Sequence, residues 1–192
     1  MSTSRVVRLV FWLWFFAAVL TGRQLLLQRI PPPAIQGILF GLTALLLLAY
    51  ARLTPLRAWV DALDPRALVA LHLTRFVGVY FLVLYRDGQL PYDFAVPGGI
   101  GDIVVATLAL ALVVAPMTEP RRLRAIFIWN ILGLVDILLV VGTAIRLTLA
   151  SPAQMRALTH LPLSLLPTFL VPLLIATHLV LYRRLSRAPV PT

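Results

Sequence analysis

Residues 71–85 read LHLTRFVGVYFLVLY, an apolar run broken at Arg75 by a guanidinium that stays charged at every biological pH. A stretch of this kind is membrane material, and a fixed cation in its middle needs a partner supplied by the protein itself. The rest of the chain repeats the pattern. Six apolar runs fall near residues 7–27, 34–53, 67–85, 99–115, 125–147 and 163–182, each long enough to cross a hydrocarbon core of about 30 Å at about 1.5 Å per helical residue. The expected fold class is therefore all-α: a polytopic transmembrane helical bundle of about six spans, forming one transmembrane domain over residues 1–192.

Composition agrees. The chain is 60% hydrophobic and 12% charged, with a mean hydropathy of +0.94, against about 45–50% apolar and about 25% charged in soluble domains. A net charge of +10 would point to nucleic acid in a soluble protein. Here the basic residues flank apolar runs, so the partner is the lipid bilayer and nucleic acid is excluded. All seventeen basic residues are Arg, and neither Lys nor Cys occurs. This rules out a lysine Schiff base, disulfides, thiolate catalysis, iron–sulfur clusters and cysteine lipid anchors.

Arginine placement gives an orientation, because positive loops stay in the cytoplasm. With the N-terminus inside, eleven arginines lie on the inner side (5, 8, 52, 57, 66, 121, 122, 124, 183, 184 and 187) and five outside (23, 29, 86, 146 and 156). Both ends are thus expected in the cytoplasm. The all-Arg, alanine- and leucine-heavy composition is associated with a G+C-rich bacterial gene, which makes the expected location a bacterial inner membrane.

Punctuation marks the connections. Pro31, Pro32 and Pro33 form a stiff break, Asp64 before Pro65 reads as an N-cap and N1 pair, and Ser151 before Pro152 opens a short helix. Between residues 54 and 64, Leu56, Trp59, Val60 and Leu63 share one face, as in a short helix lying in the membrane interface. Gly37 and Gly41 form a GxxxG for helix packing, within the chain or in a homo-oligomer.

The costly residues inside the runs are His72, Arg75, Asp102, Asn130, Asp136 and His178, since an Arg or Asp at mid-bilayer costs about 2.5–3.5 kcal/mol on insertion scales. Arg75 and Asp136 fall at the same height on their spans, which predicts a bidentate ion pair. No other carboxylate is expected at that level. His72, Asn130 and His178 lie together toward the cytoplasmic side, so the five residues define a ligand-binding pocket opening inward. Asp102 is placed apart, in the first turn of the fourth span after PGGIG, as a helix cap or outer mouth.

This set holds too few convergent ligands for a zinc hydrolase, and Ser164 lies far from His178, so no enzyme is expected. The leading reading is binding or transport of a small solute or ion. The alternative is a non-transporting accessory or assembly protein in which the ion pair fixes helix register. A third reading makes His72 and His178 the axial ligands of a b-type haem. Finally, WNILGLVD at 129–136, GIGD at 99–102 and the span carrying Arg75 resemble an uncharacterised family of small multi-pass bacterial membrane proteins. The resemblance covers residues 75 to 178 and implies a polytopic helical fold without a known activity.

Overall fold

Apolar runs bounded by proline and arginine fold into long helices, and in a computed structural model, which describes residues 2–187, no strand occurs among the described residues. Contacts divide these residues into two units, 2–63 with 145–176 and 64–144 with 177–187.

The first unit opens with α1 (Thr3–Arg23). Its aromatic run puts Phe11, Trp14 and Phe15 around Phe169, at ring separations of 5.2, 4.7 and 5.4 Å. The Trp14 indole N–H donates to the Thr168 carbonyl at 2.8 Å, which satisfies the one polar atom of that cluster. A short 3-10 turn at Leu26–Arg29 leads to α2 (Pro32–Arg52). Pro32 and Pro33 are the first two residues of α2, where a missing N–H costs nothing, so the prolines start this helix as well as separating it from α1. The amphipathic stretch after it forms α3 (Thr54–Asp61), with Leu56, Trp59 and Val60 half-buried. The Tyr50 hydroxyl donates to Asp61 Oδ1 at 2.7 Å and ties α3 to the end of α2. Further along, Ser151 precedes a 3-10 helix at Pro152–Thr159, and Pro167 sits in a π-helical turn at Leu166–Leu170.

The second unit begins with α4 (Pro65–Arg86), capped by Asp64, whose carboxylate accepts the Arg66 backbone N–H at 2.8 Å. Its middle, Leu71–Val77, is wound as a 3-10 helix. The next helix, α5 (Tyr92–Val114), starts well before the residue-99 boundary expected from the sequence. Pro97 lies near the N-terminal end of α5, where it forfeits one backbone hydrogen bond without stopping the helix. The long α6 (Glu119–Ala150) contributes its residues up to Ala144 to this unit. Arg122 turns back from it and donates to the carbonyls of Leu112, Ala115 and Met117 at 3.1, 3.3 and 3.2 Å, capping the C-terminal end of α5. From α7 (Val171–Arg187), the part from Thr177 onward belongs here. The core of this unit is Val69, Phe81, Phe94, Ala106, Ile126 and Leu181, all buried.

Candidate functional site

The 3-10 winding of α4 sets the site. In that geometry residues three apart eclipse one another, so His72 and Arg75 line up on one side. Both are buried, and Arg75 is only 1% exposed. Its guanidinium reaches three acceptors on two helices. Nε donates to Asp102 Oδ1 at 2.6 Å, Nη1 to the Gly133 carbonyl at 3.0 Å, and Nη2 to Asp136 Oδ2.

The Arg75–Asp136 contact expected from helix depth is therefore present, with two corrections. The fork is not spent on one carboxylate in bidentate fashion but is divided between two. Asp102 is not an outer-mouth residue: because α5 begins at Tyr92, Asp102 lies deep inside it, and the acid in the first turn is Asp93.

Glycines permit these approaches. A Cβ on Gly78 would collide with the Gly99 carbonyl oxygen and lie 2.9 Å from Asp102 Cβ, and one on Gly99 would come within 2.8 Å of the Gly78 carbonyl. The backbones of α4 and α5 touch there, which carries Asp102 to Arg75. Gly101 does the same for α6, since a Cβ on it would overlap Asp136 Oδ1.

Beside this ionic centre lies a second cluster. The His72 and His178 rings are 4.2 Å apart, and Trp129 packs against both at 4.9 and 5.5 Å. Asn130 Nδ2 donates to the His178 carbonyl at 3.0 Å, and its Oδ1 lies 2.9 Å from His178 Nδ1. A carbonyl can only accept, so this arrangement orients the amide, makes Nδ1 the protonated ring nitrogen, and leaves a lone pair on Nε2. His72 Nε2 bonds the Thr177 hydroxyl at 3.1 Å. His178 Nε2 and His72 Nδ1 are both buried without a hydrogen-bond partner. The two clusters meet at Gly133, whose carbonyl holds Arg75 and whose Cα faces the His178 ring, 3.1 Å separating Nε2 from the place a Cβ would occupy.

The haem reading fails on this geometry. Two metal–nitrogen bonds of about 2 Å already separate coordinated nitrogens by about 4 Å and their ring centres by more. Rings in contact at 4.2 Å leave no room for iron and its macrocycle.

Of the residues expected at the site, His72, Arg75, Asn130, Asp136 and His178 thus come together, joined by Asp102. Gly101, Trp129, Thr177 and the Gly133 carbonyl were not foreseen. Asp93 was the available signal for Asp102: an acid two residues after Pro91 marks a helix start at Tyr92 and pushes Asp102 inward by almost three turns.

The outside of the molecule has the opposite character. Leu13, Leu45 and Leu139 are 61%, 61% and 66% exposed on helices of bilayer length. Apolar side chains turned outward over so many residues, with the charges turned inward, have lipid as their solvent. The chain is a multi-pass helical membrane protein, with six helices among the described residues long and apolar enough to cross a membrane. It belongs to the family defined by a domain of unknown function, DUF8737, which matches residues 32–186. The match takes in every residue of the two clusters. No curated protein and no solved structure matches the chain.

Proposed function

We propose that the protein binds or transports a small solute or ion at the centre formed by Arg75, Asp102 and Asp136, with Asn130, His72 and His178 at its side. One observation carries this reading: a fully buried guanidinium is bonded to two carboxylates while two buried histidine nitrogens beside it have no partner. Intramembrane charge of this kind is expensive and marks a ligand or ion path more often than a packing device. Unpaired buried polar atoms call for a ligand, water or ion to complete them. The setting is a bacterial inner membrane with both chain ends in the cytoplasm, in accord with the arginine asymmetry.

Asp136→Asn tests this directly. The amide keeps the shape and loses the charge. The expected result is a protein that is folded by circular dichroism but shows at least a tenfold loss of solute retention, read by mass spectrometry of small molecules that co-purify with the wild type. Equal retention by the variant counts against the site.

A second reading is favoured by the backbone contact at Gly78 and Gly99: the ion cluster fixes helix register in an accessory protein and binds nothing. Asp136→Asn then loses the fold itself, with no small molecule retained by the wild type.

A further inference from the structure

At the buried centre the acids outnumber the bases. Arg75 contributes one positive charge, and Asp102 and Asp136 contribute two negative charges, so the ionised cluster is one cation short of neutral. An uncompensated charge in an apolar interior is costly, and the cluster lowers that cost by taking up a cation.

The two acids are not equivalent. The Asp102 side chain is 9% exposed and is wedged between Arg75 Nε, at 2.6 Å, and Gly78. The Asp136 side chain is 23% exposed. Arg75 engages its Oδ2, while its Oδ1 lies over Gly101 Cα, which has no donor to offer. Arg75 holds one oxygen of each acid, so the more exposed Asp136 is the carboxylate able to exchange and the more buried Asp102 is the permanent counter-ion.

An independent observation points to the same place. His178 Nε2, a lone pair by the hydrogen bonding of Asn130, is fully buried, unpartnered and set against Gly133. Gly133 is one turn from Asp136 along α6, and its carbonyl is held by Arg75. A second acceptor therefore looks at the segment of α6 that carries the more exposed carboxylate.

We infer that Asp136 is the exchanging carboxylate of a site for one monovalent cation, H⁺ or Na⁺, with Arg75 and Asp102 as a fixed ion pair and His178 Nε2 as the second acceptor. This rests on the binding function proposed above and names its ligand class. In the proton form, hydronium gives its proton to Asp136 Oδ1 and leaves as water, and the neutral acid remains beside a balanced Arg75–Asp102 pair. The groups that set this exchange are Arg75 from α4, Asp102 from α5 and His178 from α7.

Infrared difference spectroscopy of the full chain in lipid nanodiscs tests it, reading the C=O stretch of a protonated carboxyl while pH is stepped in Na⁺-free buffer and while NaCl is added at fixed pH. The wild type is expected to show such a band responding to pH. Displacement of the band by NaCl identifies Na⁺ as a ligand of the site, and indifference to NaCl identifies H⁺ alone. Asp136→Asn loses the band. Asp102→Asn removes the excess charge, so the band appears only at tenfold or higher proton concentration. Asp136→Glu keeps an acid and shifts the band's frequency, which preserves the test if the Asn variant fails to fold. A wild type with no carboxyl signal responding to pH or NaCl overturns the inference, as does a band unchanged in the Asp136 variants. If the infrared signal is silent but a co-purified solute is lost from Asp136→Asn, the cation site falls and the binding function stands. If both are silent, both fall.

Discussion

Arg75 holds this protein's centre through geometry as much as charge. Its planar fork sends N–H groups in three directions, to Asp102, Asp136 and the Gly133 carbonyl. A lysine ammonium has three donors but all on one nitrogen, so it cannot reach acceptors spread as widely as those that Nε, Nη1 and Nη2 serve here. Removing the cation altogether is worse, because the Asp102 and Asp136 carboxylates then face each other without a counter-charge. Arg75→Gln is expected to cost about 3–5 kcal/mol, the usual penalty for stranding one side of a buried ion pair. Arg75→Lys should fall between it and the wild type. Thermal unfolding in detergent orders the three, and a glutamine variant as stable as wild type would remove Arg75 from the centre. How much of this site could be read from sequence follows from the same residues. Arg75 and Asp136 were paired correctly because helical rise alone sets the heights of two charges on neighbouring rods. Asp102 is misplaced by a fourth span that starts at residue 99, because the helix already begins at Tyr92 and runs through Pro97, a proline near its N-terminus that need not break it. The division of the guanidinium between two acids depends on how closely α4 and α5 approach, which glycine spacing permits but does not specify.

At the level of elements, the spans were legible and their winding was not. Length and hydropathy locate six helices because the bilayer sets a minimum run. A 3-10 segment at Leu71–Val77 and a π turn at Leu166–Leu170 leave no such mark, since 7 and 5 residues are too few to tell one helical period from another. Glycines divide in a way that only packing reveals. Gly78, Gly99 and Gly101 sit at crossings, while nothing lies within 4 Å of a Cβ built on Gly37 or Gly41. The GxxxG of α2 therefore packs against none of the described residues and is left exposed. Opposite results are expected for the same substitution. Gly101→Ala pushes Asp136 away from Arg75 and should destabilise by about 1–3 kcal/mol, as overpacking does. Gly41→Ala should leave the monomer equally stable or improve it by up to about 1 kcal/mol through helix propensity. If α2 pairs with a second copy, the same Gly41 variant weakens self-association, and sedimentation in detergent separates that effect from unfolding. Equal losses of stability at Gly101 and Gly41 would contradict the assignment of crossings.

For the molecule as a whole, lipid is the solvent and the arginines predict the direction. The helix α6 has 32 residues, about 48 Å at the usual rise, well beyond a hydrocarbon core of about 30 Å. Its surplus includes the first turns, where Arg121, Arg122 and Arg124 lie close together. Such a basic end is held on the cytoplasmic side during insertion, and neighbouring short loops follow by alternation. The loop between α4 and α5, residues 87–91, has no basic residue of its own and is expected outside. Reporter fusions read this out. A fluorescent protein that matures only in the cytoplasm should glow when joined after Thr118 or after Thr192. A phosphatase that folds only outside should be active after Gln89. Replacing Arg121 and Arg124 with Gln, while leaving the capping Arg122 in place, should lower the fraction of molecules in that orientation, because the inside bias falls from eleven against five to nine against five. Phosphatase activity after Thr118 in the wild type would reverse the topology.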